Sequence, residues 1–485
     1  METMRSSDLS YSRIEAPKSR CVKRLLFSCC LISLSCVLGV IGILLLWPSL
    51  LDWIIRGSAA KGVIAHEPFD LRVTKGFGTR DYSEVRISLI TNKEMPPASE
   101  FFDYSQRFQY RWTDKFLHST LKVVSQAGQT SFDVGTNITV RLPAQGAGVA
   151  GLLIADPCVN SPAGGNWVGC QYGEKYQTLE RIPHLINVFM QHEDVDFWSI
   201  SGDNFYDRTG AISSDVFARI SLKAKSAFFF AVPGNHDFWV YGVPQLASKE
   251  DQCANGFMQF YAQDTKAAQA LEAGSSSPPF NFSVHPDTGG FLEYGCSHPT
   301  IDNFFWYNQL GNVGFVGQSG AHSLAESLPF MKEACAWFPK QPSLDVVVLM
   351  GHWDVEDCGA SDNMAMPLWY REMLSLPGCK EFHDRGMLKY VMGHTHCNSP
   401  HPRGDPGMGF RVAGFGMEGH SCTNFGIPIV DTSEGRVRFW YFDTSSEESY
   451  KSVISCVQSH GWRKCTHLAT PWLDQPIPSS TARQL

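Results

Sequence analysis

The chain carries little charge: 18% of its 485 residues are Asp, Glu, Lys or Arg, and the net charge is −8. Nucleic acid is therefore not expected as a main partner, because a phosphate backbone needs a clustered basic face. There is no internal repeat or low-complexity tract, and no cysteine spacing resembles a zinc finger. No Gly-x-Ser-x-Gly elbow, P-loop or Rossmann glycine pattern accompanies an apolar run. Serine hydrolase, nucleoside-triphosphatase and dehydrogenase chemistries therefore lack their residues. What the chain has in quantity is apolar. Hydrophobic residues make up 43%, with 32 Phe and 13 Trp, which excludes a disordered, collagenous or coiled-coil protein. The length leaves room for two or three domains and a large core.

The charge is unevenly spread. Residues 1–24 hold six Lys/Arg against three acids, a net +3, which leaves −11 for the remainder. From Leu25 to Trp47 run 23 residues, LLFSCCLISLSCVLGVIGILLLW, without one charge. A helix of that length spans ~35 Å, enough to cross a ~30 Å hydrocarbon layer. The basic flank is expected to stay cytoplasmic and to send everything after Trp47 across the membrane. This describes a single-pass type II membrane protein: cytoplasmic tail 1–24, signal anchor 25–47, and the rest lumenal or extracellular. A cleaved signal peptide is the alternative, since Gly57-Ser58-Ala59-Ala60 follow the apolar run. Two glycosylation sequons, at Asn137 and Asn281, fall on the proposed lumenal side. Of 15 cysteines, Cys21, Cys29, Cys30 and Cys36 lie in or beside the span, and 11 follow between Cys158 and Cys465. An oxidising compartment would pair some of them, and the odd number leaves at least one over.

Beyond the span, residues 48–148 read as a linker followed by a small β-rich domain. Its runs FDLRVT, EVRISLIT, FQYRW, STLKVV and NITVRL alternate polar and apolar side chains between Gly, Pro, Asn and Asp. The stretch from Glu94 to Asp114 could instead include a helix. Residues 149–468 have a different texture. Short apolar runs close abruptly on Asp, Asn or His: VAGLLIAD, VDFWSISGD, AFFFAVPGNHD, LDVVVLMGH and LKYVMGHTH. Helix-like stretches at Thr178–His192 and Leu324–Phe338 lie between them, and Pro299–Ser319 reads as a hairpin. Buried strands with polar residues at their C-terminal ends describe an α/β sheet with its site at the strand ends. FRVAGFG, IPIVDT and RVRFWYF return to strands, and residues 469–485, with three prolines, read as a flexible tail.

Five strand-end clusters occur in order: Asp156; Gly202-Asp203-Asn204-Phe205-Tyr206; Gly234-Asn235-His236-Asp237; Gly351-His352; and Gly393-His394-Thr395-His396. Singly, each has an ordinary reading as a turn, a helix cap or a satisfied histidine. Together they supply what two cations ~3.5–4 Å apart require: a bridging carboxylate, imidazoles and a neutral amide oxygen. Glycines beside those residues let the backbone turn sharply.

In order and spelling the clusters resemble the calcineurin-like metallophosphoesterases, and within them the purple acid phosphatase branch. Most of that superfamily has Asp-x-His in the first motif, whereas purple acid phosphatases have Asp-x-Gly and recruit the Tyr of GDxxY. Here the first motif is Asp156-Pro157-Cys158, and GDNFY supplies Tyr206. The resemblance spans roughly Gly151 to Tyr441. It implies a mixed α/β (α+β) four-layer fold, a β-sandwich flanked by helices, beside the smaller N-terminal β-rich region and the transmembrane helix. It also implies that Asp156, Tyr206 and His396 bind a first metal, that Asn235, His352 and His394 bind a second, and that Asp203 bridges both. His236 would act as proton donor or as stabiliser of transition-state charge. A phenolate favours a trivalent ion, so Fe(III) is expected at the Tyr206 position and Zn, Fe or Mn as a divalent ion at the other. The implied activity is an acid phosphatase that hydrolyses phosphomonoesters by metal-bridged hydroxide attack. A phosphodiesterase on the same centre, or a catalytically weak phosphatase-fold membrane scaffold, is the alternative.

Three features depart from the resemblance. Cys158 stands where the family has a small Gly; it could be a disulfide partner, a filler or a soft ligand, the first being favoured. Trp353-Asp354-Val355-Glu356-Asp357 follows His352, and three carboxylates at the mouth would repel a phosphate unless they point away or meet an Arg. Cys397 follows His396 without an evident role. His184 and His192 read as surface residues, His298, His322 and His420 as structural ones.

Overall fold

The computed structural model describes residues 70–478, apart from 76–81, 93–100, 103, 108–114, 126–127, 163–169, 171–172, 193, 208, 238–256, 258–259, 262–304, 321–323, 355–364, 402–407 and 413–423. The basic tail, the apolar run 25–47, residues 48–69, Asn281, His298, His322 and His420 lie outside the described residues. Among the described residues, no helix is long and apolar enough to cross a membrane.

Four of the N-terminal runs lie in β1 (Asp70–Lys75), β2 (Glu84–Thr91), β4 (Phe116–Val123) and β6 (Asn137–Arg141), whereas FQYRW, residues 108–112, lies outside the described residues. Two strands match none of the runs: β3 (Tyr104–Arg107), which pairs with β4, and β5 (Gln129–Asp133), which forms a separate hairpin with β6. The expected small domain is not a separate body. β1 adjoins β9 (Phe228–Val232) through Val73 and Phe228, so β1 to β4 lengthen one ten-stranded sheet. The described residues all fall within one compact unit. The reason lies in burial: every residue of β1 is buried, so both of its faces need cover that a small layer by itself does not supply.

The apolar runs of the next region form β7 (Ala150–Ile154), β8 (Phe197–Ser201) and β9, which are parallel to one another. β10 (Trp306–Leu310) and β11 (Val313–Gly317) make the expected hairpin. β12 (Val346–Met350) and β13 (Leu388–Met392) are parallel to β11, and with β14 (Ser399–Pro400) and β15 (Gly409–Arg411) they complete a six-stranded sheet. β16 (Gly426–Asp431), β17 (Arg436–Asp443) and β18 (Ala469–Pro476) close the other edge of the ten-stranded sheet.

The stretch expected to be a flexible tail therefore begins as a strand. β18 pairs antiparallel with β17 and stacks Trp472 on Tyr441 at 5.1 Å between ring centroids. Its prolines are tolerated because it is an edge strand and the pairing carries an irregularity at Phe439/Trp440.

Side-chain alternation explains the layering. Phe197 and Phe230 point toward the second sheet and meet Phe315 at 5.0 and 4.9 Å. Their neighbours Trp198 and Phe229 point the other way, onto Phe217 of helix α2 (Ala211–Arg219). Helix α1 (Thr178–Met190) packs on the same face, with Phe189 edge-on to Phe442. α3 (Leu324–Trp337) covers the outer face of the six-stranded sheet, where Phe330 meets Tyr307. α4 (Met366–Leu374) and α5 (Pro377–Asp384) lie beside it, and α6 (Glu447–His460) lies against α1. A disulfide, Cys335–Cys379, ties α3 to α5. Strands buried on both faces carry nearly continuous apolar sequence, which is why polar residues concentrate at their ends.

Candidate metal centre

The C-terminal ends of β7, β8, β9, β12 and β13 converge, and each hands its polar cluster to one buried site. Asp156, Asp203 and His352 stand two residues past their strands, and Asn235 stands three past β9. The chain leaves β7, β8 and β13 in left-handed turns. Asp156 (φ 50°), Asp203 (51°), Tyr206 (53°), His394 (68°) and His396 (51°) all adopt the conformation that glycine favours. Each such residue costs ~1–3 kcal/mol, and such conformations concentrate at functional sites.

The side chains form two linked groups. In the first, the Tyr206 hydroxyl donates to Asp156 Oδ1 at 3.1 Å and lies 3.1 Å from His396 Nε2, itself 3.4 Å from Asp156 Oδ1. In the second, Asn235 Oδ1 lies 3.1 Å from both His352 Nε2 and His394 Nδ1. Asp203 joins them, with Oδ2 3.3 Å from His352 Nε2 and Oδ1 accepting the His236 backbone N–H at 2.8 Å. The His236 ring lies 5.0 Å from that of Tyr206, centroid to centroid. All seven side chains expected to hold metal, together with His236, thus lie in one cluster. Oxygen and nitrogen ligands ~2.0–2.2 Å from a shared ion stand ~3–3.6 Å apart, which is the spacing within each group. One ligand atom from each of Asp156, Asp203 and His352 falls within 4.8 Å of the others.

Outer contacts aim these groups. The Ser201 carbonyl accepts from His352 Nδ1 at 2.9 Å, which leaves Nε2 facing Asp203 and Asn235. The His394 backbone N–H donates to Asp156 Oδ2 at 2.9 Å. Asp237 accepts from the Asn204 backbone N–H (2.9 Å), the Asn204 side-chain amide (2.8 Å) and the Gly234 N–H (2.6 Å), so it ties the second cluster to the third. Sequence reasoning gave Asp237 and Asn204 no role, although both stood inside quoted motifs. Gly234 has no space for a side chain: a Cβ there would lie 2.2 Å from Asp203 Oδ1.

Electrostatics favour a cationic occupant. Burial and the carboxylates of Asp156 and Asp203 push the Tyr206 phenol well above its ordinary pKa, so it ionises only beside strong positive charge. Burial disfavours charge on Asp203, yet His352 and His236 outweigh it and hold that carboxyl below the usual range. Burial likewise opposes charge on His352, but Asp203 and Asp156 raise it to about 10. His394 is lowered to about 4 by burial and by the neighbouring His352. A buried set of carboxylates, a phenol, imidazoles and one amide oxygen fits hard and borderline metal ions.

The departures noted in the sequence now have partners. Cys158 is disulfide-bonded to Cys170, and Cys397 is also half of a disulfide. Arg411, on β15, donates to Asp354 Oδ2 at 3.0 Å, so the first of the three carboxylates meets an Arg. Glu356 and Asp357 lie outside the described residues. His184 and His192 sit at the α1–α6 contact, on the Tyr450 hydroxyl (2.6 Å) and the Val457 carbonyl (2.8 Å). Asn137 is exposed at the start of β6.

Residues 152–398, about half of the chain, match the family model described as calcineurin-like phosphoesterase. The chain belongs to that family. This phosphoesterase is a metal-dependent hydrolase of phosphoric esters, and its substrates are phosphorylated. Its mixed α/β fold with several sheets is of the metallophosphoesterase type. No curated protein sequence matches it. Among solved structures, the phosphoesterase is similar to purple acid phosphatase PPD1 from yellow lupin (Lupinus luteus) seeds at 12% identity, covering 78% of this chain and 72% of that one with a TM-score of 0.48. It is similar to PhoD at 9% identity, over 78% and 87% of the two chains, with a TM-score of 0.40. A 5′-nucleotidase from Candida albicans SC5314 shares 13% identity over 67% and 57%, with a TM-score of 0.36.

Proposed function

We propose that this phosphoesterase is a dinuclear acid phosphatase of the purple type, acting on phosphomonoesters and held at a membrane by residues 25–47. Its catalytic domain would then be lumenal or extracellular. One observation carries the reading: the Tyr206 hydroxyl meets Asp156 and His396 at 3.1 Å each. A phenol oxygen, a carboxylate oxygen and an imidazole nitrogen brought this close together are the donor set that one shared ion would need.

In this reading Asp156, Tyr206 and His396 hold a trivalent iron, Asn235, His352 and His394 hold Zn, Fe(II) or Mn, and Asp203 spans both. Two such cations would neutralise phosphoryl oxygens and activate water for in-line displacement. The chain's own part is positioning. Ser201 orients the His352 ring, Asp203 fixes the His236 backbone, and the His236 ring stands beside Tyr206, placed to protonate a departing alkoxide. Arg411 holds the Asp354 charge away from an incoming dianion.

Elemental analysis of the purified chain, its visible spectrum and its turnover of an aryl phosphate test this reading. Two metals per chain, an iron–phenolate absorption that Tyr206→Phe abolishes, and monoester cleavage above diester cleavage are the expected results. A colourless metal-loaded protein whose spectrum ignores Tyr206→Phe, or one that prefers diesters, rejects it.

A further inference from the structure

Among the described residues, three cysteines lie near the centre, and their placement is one-sided. Asp156 is two residues from Cys158, and His396 adjoins Cys397. Both cysteines are disulfide-bonded. Asp203, Asn235, His352 and His394 have no cysteine within two residues. Tyr206 lies on the cysteine-rich side by packing rather than by sequence. Its ring forms a small buried cluster of its own with Cys158 and Cys170, apart from the main core, and all three are at most 3% exposed. Among the described residues, the group on which the Tyr206 hydroxyl converges is thus the group bordered by disulfides.

The local backbone explains what that border does. Asp156 and Tyr206 both occupy left-handed conformations, which persist only when their surroundings over-determine them. Cys158 donates its N–H to the Asp156 carbonyl at 2.8 Å, closing a tight turn whose far side is bonded to Cys170. Cys170 is anchored in turn, its carbonyl accepting from Gly173 N at 2.8 Å and from Asn160 Nδ2 at 3.2 Å. The disulfide therefore holds the Asp156 turn at one end and covers the Tyr206 ring with sulfur at the other. Without it, the turn would lose its tie and the phenol the buried surface that excludes water and fixes its direction.

We infer that the Cys158–Cys170 disulfide is the positioning element for Tyr206, so that the first metal position depends on it and the second does not. The inference rests on the metal assignment proposed above, and its test separates the two. The full chain is compared with Cys158→Ala/Cys170→Ala, with Cys158→Val/Cys170→Val, which refills the volume without the covalent tie, and with Cys335→Ala/Cys379→Ala, which cuts a disulfide between α3 and α5. Affinity for each ion, the visible spectrum and the melting temperature are measured for all four. The Cys158/Cys170 variants are expected to bind the first ion ~10–100-fold more weakly, as outer contacts of metal ligands do when removed, and to lose the iron–phenolate absorption. Their second ion should bind as in the parent. The Cys335/Cys379 variant should melt lower yet keep both affinities and the spectrum. Unchanged first-ion affinity and spectrum in either folded Cys158/Cys170 variant overturns the inference, as does equal weakening of both ions. If the parent chain holds no iron, or Tyr206→Phe leaves first-ion affinity untouched, the metal assignment fails and the inference falls with it.

Discussion

The phenol oxygen of Tyr206 lies 3.1 Å from Nε2 of His396, a residue 190 positions further along the chain. One side chain leaves the ten-stranded sheet and the other the six-stranded sheet, so the contact records how the two sheets are set against each other. Tyr206→Phe removes one oxygen and little volume. The fold should persist, with a melting temperature close to the parent's, while the first metal position weakens by at least ~10–100-fold. Calorimetry and metal titration on the same preparation check both halves of that expectation.

Gly234→Ala is expected to be worse than its single methyl suggests. The new Cβ would meet Asp203 Oδ1 at 2.2 Å and the Asp203 N at 2.4 Å, both held by the turn that makes the site. Overpacking of this kind costs ~1–3 kcal/mol. Denaturant melts should show that loss, and metal binding should fail with it; a variant as stable and as well loaded as the parent contradicts the geometry.

Asp237→Asn replaces a pure acceptor by a group that is half donor. Its three partners, the Asn204 N–H, the Asn204 amide and the Gly234 N–H, all donate, so the new NH2 faces one of them unpaired. An unsatisfied buried group costs ~1–3 kcal/mol. Because Asp237 joins the loops of Asp203 and Asn235, kcat should fall along with stability. Loss of stability alone would show that the tie is structural only.

Arg411→Met removes the guanidinium that pairs with the buried Asp354 carboxylate, two residues past His352. The affinity for a phosphomonoester dianion should fall, visible as a raised KM. Adding Asp354→Asn in the same chain should restore much of it, the pair being coupled. A double variant no better than the single one would show that charge is not the operative property.

His118 gives a pH signature away from the centre. It is fully buried on β4 with its Nε2 2.9 Å from the Thr91 hydroxyl, and burial lowers its pKa from 6.5 to about 4. The unfolded chain then binds more protons than the folded one between about pH 4 and 6.5. That contribution to stability is complete above 6.5 and is lost as pH falls toward 4. Urea melts across this window should show His118→Gln with a shallower acid decline than the parent. Parallel declines for the two proteins would show that His118 does not contribute.

Much of the fold and site could be read from the residues because the informative patterns are local. An apolar run of five or so residues that stops at Asp, Asn or His specifies a buried strand and its exit in one short segment. Five such runs supplied β7, β8, β9, β12 and β13 and every side chain now gathered at the centre. The β10–β11 hairpin and helices α1 and α3 were readable for the same reason. Asn204, Asp237 and Arg411 were not, since their roles depend on which distant donor or carboxylate each one faces.

Residue order alone therefore settled the five strands that carry the site, where they end and what chemistry stands at those ends, because alternation and turn formation act over a few neighbours. Three-dimensional packing alone settled the rest. The pairing of β1 with β9 made one sheet of two expected bodies, and the edge left open by β17 turned a proline-bearing tail into β18. The joining of Cys158 to Cys170 likewise depended on which cysteines come within bonding distance. Each of these follows from which faces and edges remain uncovered once the core has closed, and no short stretch of sequence contains that information.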